Sequence, residues 1–147
     1  MSTNDNRIPV ALAEIIDEFH DADDREKLEL LLEFSDGLPD LPENLKHMEA
    51  QFENVEECQS PVGIHAEVAN GEMEYHFAIP ETAPTVRGFA GIMLEGTKGL
   101  TPEQLLQIPG DFFVAMGLSK LLSPQRTNGF AAILAHMKRM AVPALKD

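Results

Sequence analysis

Ile64-His65-Ala66-Glu67-Val68-Ala69-Asn70-Gly71-Glu72-Met73-Glu74-Tyr75-His76-Phe77 reads as two alternating strands joined by a two-residue turn. Asn70-Gly71 is the preferred pair for a type I′ turn, whose two central residues both take positive φ. That turn sets Ile64 opposite Phe77, Ala66 opposite Tyr75 and Val68 opposite Met73, so six apolar residues share one face. The other face carries His65 opposite His76 and Glu67 opposite Glu74. Imidazole and carboxylate are ligands a divalent metal accepts. A solvated outer face is nonetheless the norm for such strands, and no metal site is assigned to it.

The apolar face needs a cover, and the chain on either side supplies helices. Upstream, Ile8, Leu12, Ile15, Ile16 and Phe19 fall at helical spacing and predict an amphipathic helix over Pro9 to Phe19. Asp23 with Glu26 three residues on has the form of a capping box. The helix it opens carries Leu28, Leu31, Leu32 and Ser35 as its buried stripe, and Gly37 is expected to close it in the left-handed conformation. Gly37-Leu38-Pro39-Asp40-Leu41-Pro42 is a rigid connector. A short helix over Glu43 to Ala50 follows, then Gln51 to Val55 as a strand or an extended lead into the cysteine loop.

Downstream, Pro84 opens a helix whose stripe is Val86, Phe89, Ala90, Met93 and Leu94, with Arg87 and Gly88 off it. Thr101-Pro102-Glu103-Gln104 starts another. Asp111 is placed to cap one carrying Phe112, Phe113 and Met116, closed by Gly117. The last helix opens at Ser123-Pro124 and buries Phe130, Ile133, Leu134, Met137 and Ala141. The expected class is α+β, a small antiparallel sheet with helices packed on one face.

At 147 residues the chain suits a single domain over residues 1–147, with 1–7 expected to be flexible. Eleven basic residues against 25 acidic ones give a net charge of −14, which argues against phosphate-anchored nucleic-acid binding. The expected partner is a protein with a basic or mixed docking face. The polar start lacks a signal-peptide pattern and no apolar run is long enough for a membrane span, so the cytoplasm is the expected location.

Cys58 is the only cysteine, within Asn54-Val55-Glu56-Glu57-Cys58-Gln59-Ser60-Pro61-Val62. Any disulfide it forms is intermolecular. Buried hydrophobe is the commoner role of a lone cytosolic cysteine, but polar flanks and Ser60-Pro61 point to a loop at the sheet's edge. Adjacent carboxylates raise a thiol's pKa, opposite to what a Cys-His hydrolase needs. Of the histidines, His65 and His76 are candidates to approach it in the fold. Two features of the last helix also resist a purely structural reading. Arg126 is a cation in a first turn, where the helix dipole disfavours it, and Gly129 weakens the helix a turn later. A functional account has Gly129 admitting another backbone while Arg126 reaches the cysteine loop or an acidic partner.

Four segments in this order, Gly37-Leu38-Pro39-Asp40-Leu41-Pro42, Glu57-Cys58-Gln59-Ser60-Pro61-Val62, Val86-Arg87-Gly88-Phe89 and Leu122-Ser123-Pro124-Gln125-Arg126-Thr127-Asn128-Gly129, resemble the SufE family of cysteine-desulfurase accessory proteins. The resemblance implies that Cys58 accepts persulfide sulfur from a pyridoxal-phosphate-dependent cysteine desulfurase, SufS-like or CsdA-like, and passes it to an iron-sulfur scaffold protein. It implies a docking or loop-ordering role for Arg126 and Arg87. The chain would then be a sulfur-transfer partner with no cofactor of its own, rather than an independent enzyme. Glu57 departs from the family pattern, which has glycine there, as do Pro61 and Gly63. The competing class is an acidic adaptor that activates its partner allosterically without carrying sulfur.

Overall fold

The computed structural model describes residues 5–146. Of the start expected to be flexible, residues 1–4 lie outside the described residues, while Arg7 Nη2 donates to Asp5 Oδ2 at 2.6 Å. Two helices open the fold, α1 (Val10–Asp21) and α2 (Asp24–Asp36), then the short α3 (Glu43–Lys46). A sheet of β1 (Glu53–Asn54), β2 (Gly63–Ala69) and β3 (Glu72–Ala78) follows, antiparallel throughout in the order β1-β2-β3. Helices α4 (Pro84–Gly96), α5 (Pro102–Leu106) and α6 (Pro124–Ala141) complete it, with 3₁₀ turns at Phe112–Met116 and Leu118–Lys120 before α6. The class expected from sequence is the class observed.

The hairpin has the predicted register, with Ile64 opposite Phe77, Ala66 opposite Tyr75 and Val68 opposite Met73. Asn70 at φ 55° and Gly71 at φ 80° make the turn. Ile64, Met73, Tyr75 and Phe77 are buried, while Val68 is 47% exposed. Buried Tyr75 reaches from the sheet to α6, its hydroxyl donating to the Met137 carbonyl at 2.6 Å. Burial pushes its phenol pKa up, so it stays a donor at any ordinary pH. Tyr75→Phe is expected to cost about 1 kcal/mol, the net worth of one such bond, read from the urea midpoint at unchanged slope.

Both capping boxes form, Asp23 with Glu26 and Thr101 with Gln104. Gly37 ends α2 at φ −84°, not in the left-handed conformation, since its amide reaches the Glu33 carbonyl without a reversal. Leu28 and Leu32 are 42% and 49% exposed, and the buried face of α2 is Lys27, Leu31 and Ser35. The reason is the partner helix. Gly88 and Gly91 of α4 are buried against α2, where a Cβ would lie 2.4 Å from the Leu31 and Phe34 carbonyl oxygens respectively. The buried face of α4 thus includes Gly88, which the apolar stripe left out.

Two short elements differ from expectation. The extended stretch before the cysteine loop pairs only at Glu53 and Asn54, and the helix after Pro42 breaks into α3 and a 3₁₀ turn at Glu49–Gln51. Asp111 makes no side-chain cap, because the Phe112–Met116 segment is 3₁₀, but Gly117 closes it at φ 80° as expected. Phe112 and Phe113 surround Phe89 of α4 and Phe130 of α6, whose rings stack 4.3 Å apart. That stack fixes the first turns of α6 against α4. No helix among the described residues is long and apolar enough to cross a membrane.

Candidate functional site

The loop between β1 and β2 carries Cys58. Its neck is closed by the Val55 amide donating to the Val62 carbonyl at 2.9 Å, and both valines are only 1% exposed. Two buried apolar residues thus pin a polar segment that cannot itself join the core. Inside the neck the Cys58 amide donates back to the Val55 carbonyl at 3.2 Å. That turn swings the cysteine onto α6.

The half-buried thiol rests on Gly129, its Sγ 3.8 Å from the Gly129 carbonyl oxygen. A Cβ at Gly129 would lie 3.1 Å from Sγ, tighter than ordinary packing. Glycine is therefore what lets the thiol sit directly on the helix; the sequence predicts another backbone there, and what comes closest is the Cys58 side chain, with its Cα 4.0 Å from that Cβ position. Cys58, Gln59, Ser60, Thr85, Val86 and Arg126 are among the residues that line a cleft of about 60 Å³ here.

Arg126 stands at the rim of this cleft, exposed, and its guanidinium makes no ion pair among the described residues. Its backbone amide takes the Ser123 cap at 3.3 Å. Arg87 is elsewhere: it donates to the carbonyls of Ile79 at 2.7 Å and Ser35 at 3.4 Å, tying the end of β3 to the end of α2.

The electrostatics of the thiol follow from its seat. Burial first, and the Glu57 carboxylate second, push the Cys58 thiol up to about 11. Glu57 does not need the positive φ a glycine would allow, since Asn70 is the only described non-glycine residue in that region. Its carboxyl is held below the usual range by its own backbone amide and by His136.

His136 is the histidine that reaches the cysteine loop, and neither His65 nor His76 does. Only 8% exposed, it presents Nε2 to Glu57 Oε1 at 3.0 Å and Nδ1 to Glu53 Oε2. Arg139 closes the group, with Nη2 2.5 Å from Glu53 Oε2 and 2.8 Å from His136 Nδ1. Burial pushes the Glu53 pKa up, but the bonds from His136 and Arg139 outweigh it and hold the carboxyl below its ordinary value. Sequence reasoning passed over His136. The available signal was position: Gly129, Ala132, His136 and Arg139 recur at helical spacing on one strip of α6, beside the apolar stripe.

His65 and His76 lie on the outer face of the hairpin. Glu67 Oε1 is 3.5 Å from His65 Nε2 and 3.7 Å from His76 Nε2, and Glu74 Oε1 is 3.2 Å from His76 Nε2. The Phe52 ring stacks on His65. These are polar contacts on the outer face of the sheet. A wider cavity, about 980 Å³, opens between α2, α4 and the hairpin turn, lined by acids such as Glu33, Glu72 and Glu95. It contains neither Cys58 nor any residue touching it.

The same residues stand in a wider pattern of similarity. Residues 13–141 match the family model described as SufE, Fe-S metabolism associated domain. An uncharacterized SufE-like protein of Mycobacterium tuberculosis is 41% identical over 133 residues, covering 90% of this chain and 92% of its own. The cysteine desulfuration protein SufE of Plasmodium vivax is 28% identical over 111 residues, 74% of this chain and 43% of its own. The solution structure of a hypothetical protein from Thermus thermophilus superposes with a TM-score of 0.84 at 31% identity, across 95% of this chain and 99% of that one.

Proposed function

This chain belongs to the SufE family, and from that membership we propose that it is the sulfur acceptor of a cysteine desulfurase, with Cys58 as the accepting residue. The Cys58 thiolate attacks the terminal sulfur of a persulfide on the desulfurase cysteine. A new S–S bond forms on Cys58, the old one breaks, and the desulfurase thiolate leaves; no external oxidant or reductant is needed. The sulfur then passes by the same exchange to an iron-sulfur scaffold protein. The cytoplasm, where a free thiol persists, is the location we assign.

The observation that carries this reading is the seat of Cys58, a loop thiol laid on Gly129 at the edge of a small cleft. The cleft has space on the scale of one added sulfur, so a persulfide can be sheltered where the thiol rests. Arg126 at the rim is free to meet an acidic group of the desulfurase or to steady the charged persulfide. Arg87 orders the junction of β3 and α2 from within the fold.

The test is intact-protein mass spectrometry after incubation with the desulfurase of the same organism and cysteine. A thiol-reversible gain of sulfur is expected in the wild type and none in Cys58→Ser, with Arg126→Ala reaching the same end point at a lower rate. Stimulated desulfurase turnover that survives in Cys58→Ser, with no sulfur gained by the wild type, would instead identify an allosteric adaptor.

A further inference from the structure

We propose that His136 is a positioning residue for Cys58: by holding the Glu57 carboxylate it keeps the thiol seated on Gly129 until a cation of the partner takes Glu57 away. The proposal rests on the sulfur-acceptor reading for its purpose. The contact itself belongs to the free chain and is testable without any partner.

The loop from Val55 to Val62 is secured at its neck, while its outer residues are mostly exposed. Beyond the neck, two side chains tie it to α6. Cys58 lies on Gly129, and Glu57 accepts from His136. Those anchors are seven residues apart on the helix, roughly 10 Å along its axis, so the loop is held along α6 rather than at a point. A single tether would leave it free to pivot.

The two ends of the Glu57 contact are unequally held. His136 is buried and fixed on its far side by Glu53 and Arg139, so its Nε2 is aimed before Glu57 arrives. Glu57 is 57% exposed at its side chain and can be reached from solvent. A lysine or arginine on a docking protein can therefore compete for this carboxylate without opening the core. When it does, the loop loses one tether, and the negative charge beside the thiol is neutralised in the same event. The acidic residue before the cysteine has a use on this account: it is the handle of the catch.

Hydrogen exchange across residues 55–62 reads the catch directly, because the Val55 and Cys58 amides report the loop's bonds. His136→Leu and Glu57→Ala are each expected to speed exchange in this segment about threefold to tenfold, as losing one hydrogen bond of ordinary strength would, the solvent around Glu57 weakening the bond to its charge, and to leave β2 and β3 unchanged. Glu57→Gln keeps an acceptor for Nε2–H and should restore exchange close to wild type. Alkylation by iodoacetamide separates position from charge. Charge alone predicts opposite effects, a slower thiol in His136→Leu, where Glu57 is left unbalanced, and a faster one in Glu57→Ala. The catch predicts a faster thiol in both.

Unchanged loop exchange in Glu57→Ala, an exposed position that leaves the fold intact, would overturn the proposal, as would slower alkylation in a folded His136→Leu. Faster exchange and alkylation without sulfur loading by the desulfurase in any variant would support the catch and count against the acceptor reading.

Discussion

Gly91→Ala is expected to lower the stability of the fold by about 3 kcal/mol, among the larger effects that overpacking produces. The alanine Cβ would meet the Phe34 carbonyl oxygen at 2.4 Å, a distance no rotamer change relieves because the oxygen belongs to backbone and a Cβ is fixed by it. Helices α2 and α4 would have to separate. One turn earlier Gly88 makes the same contact with the Leu31 carbonyl, also at 2.4 Å, so the helices touch along a two-glycine seam. Moving them apart also disturbs Phe89, which lies between the two glycines and stacks on Phe130 beneath the cysteine cleft. In an ordinary exposed helix the same substitution stabilises by about 1 kcal/mol, so the sign is diagnostic. A fall of roughly 10 °C in the melting temperature is the corresponding readout. A variant as stable as wild type would mean that the helices are not in backbone contact.

That seam marks where sequence reading stops. The hairpin was legible because Asn70-Gly71 and the alternation around it are local signals that agree, and the capping boxes at Asp23 and Thr101 for the same reason. Hydrophobic periodicity finds a helix face that buries side chains. It is blind to a face that buries backbone, which is why Gly88 was set aside and Leu28 and Leu32, displaced by the close contact, were counted as core. The two-residue β1 falls inside the stretch read as strand or extended lead, but a strand that short has no period from which its bounds could be set.

The site divides the same way. Cys58 stands out as the sole thiol, and Gly129 and Arg126 as residues poorly suited to the start of a helix. His136 makes its contacts with Glu53 and Glu57 across some eighty residues of chain, and no local preference announces them. Its burial beside two carboxylates becomes visible only when α6 lies along the loop.

The resting thiol of Cys58 is expected to react with iodoacetamide at pH 7.5 about tenfold more slowly than a cysteine of ordinary acidity: its pKa is raised from 9.0 to about 11, which cuts the thiolate fraction, and the greater nucleophilicity of a more basic thiolate offsets part of that loss. Burial is the larger cause and Glu57 the smaller, so Glu57→Gln should recover only part of the rate, while unfolding in guanidinium should recover nearly all of it. The sign of the linked stability follows. The folded chain keeps its thiol protonated where the unfolded chain has begun to ionise, so this group's contribution is full below the unfolded pKa and is lost as pH rises from about 9 towards 11. A thiol so protonated at neutral pH is ill suited to attack a persulfide unaided. On the proposed sulfur-acceptor reading, docking of the desulfurase is expected to activate this site, by drawing the loop off Gly129 and offsetting Glu57 with positive charge. The alkylation rate measured in the presence of an inactivated desulfurase should rise accordingly, and a rate as slow in the complex as in the free protein would remove the basis for activation by docking.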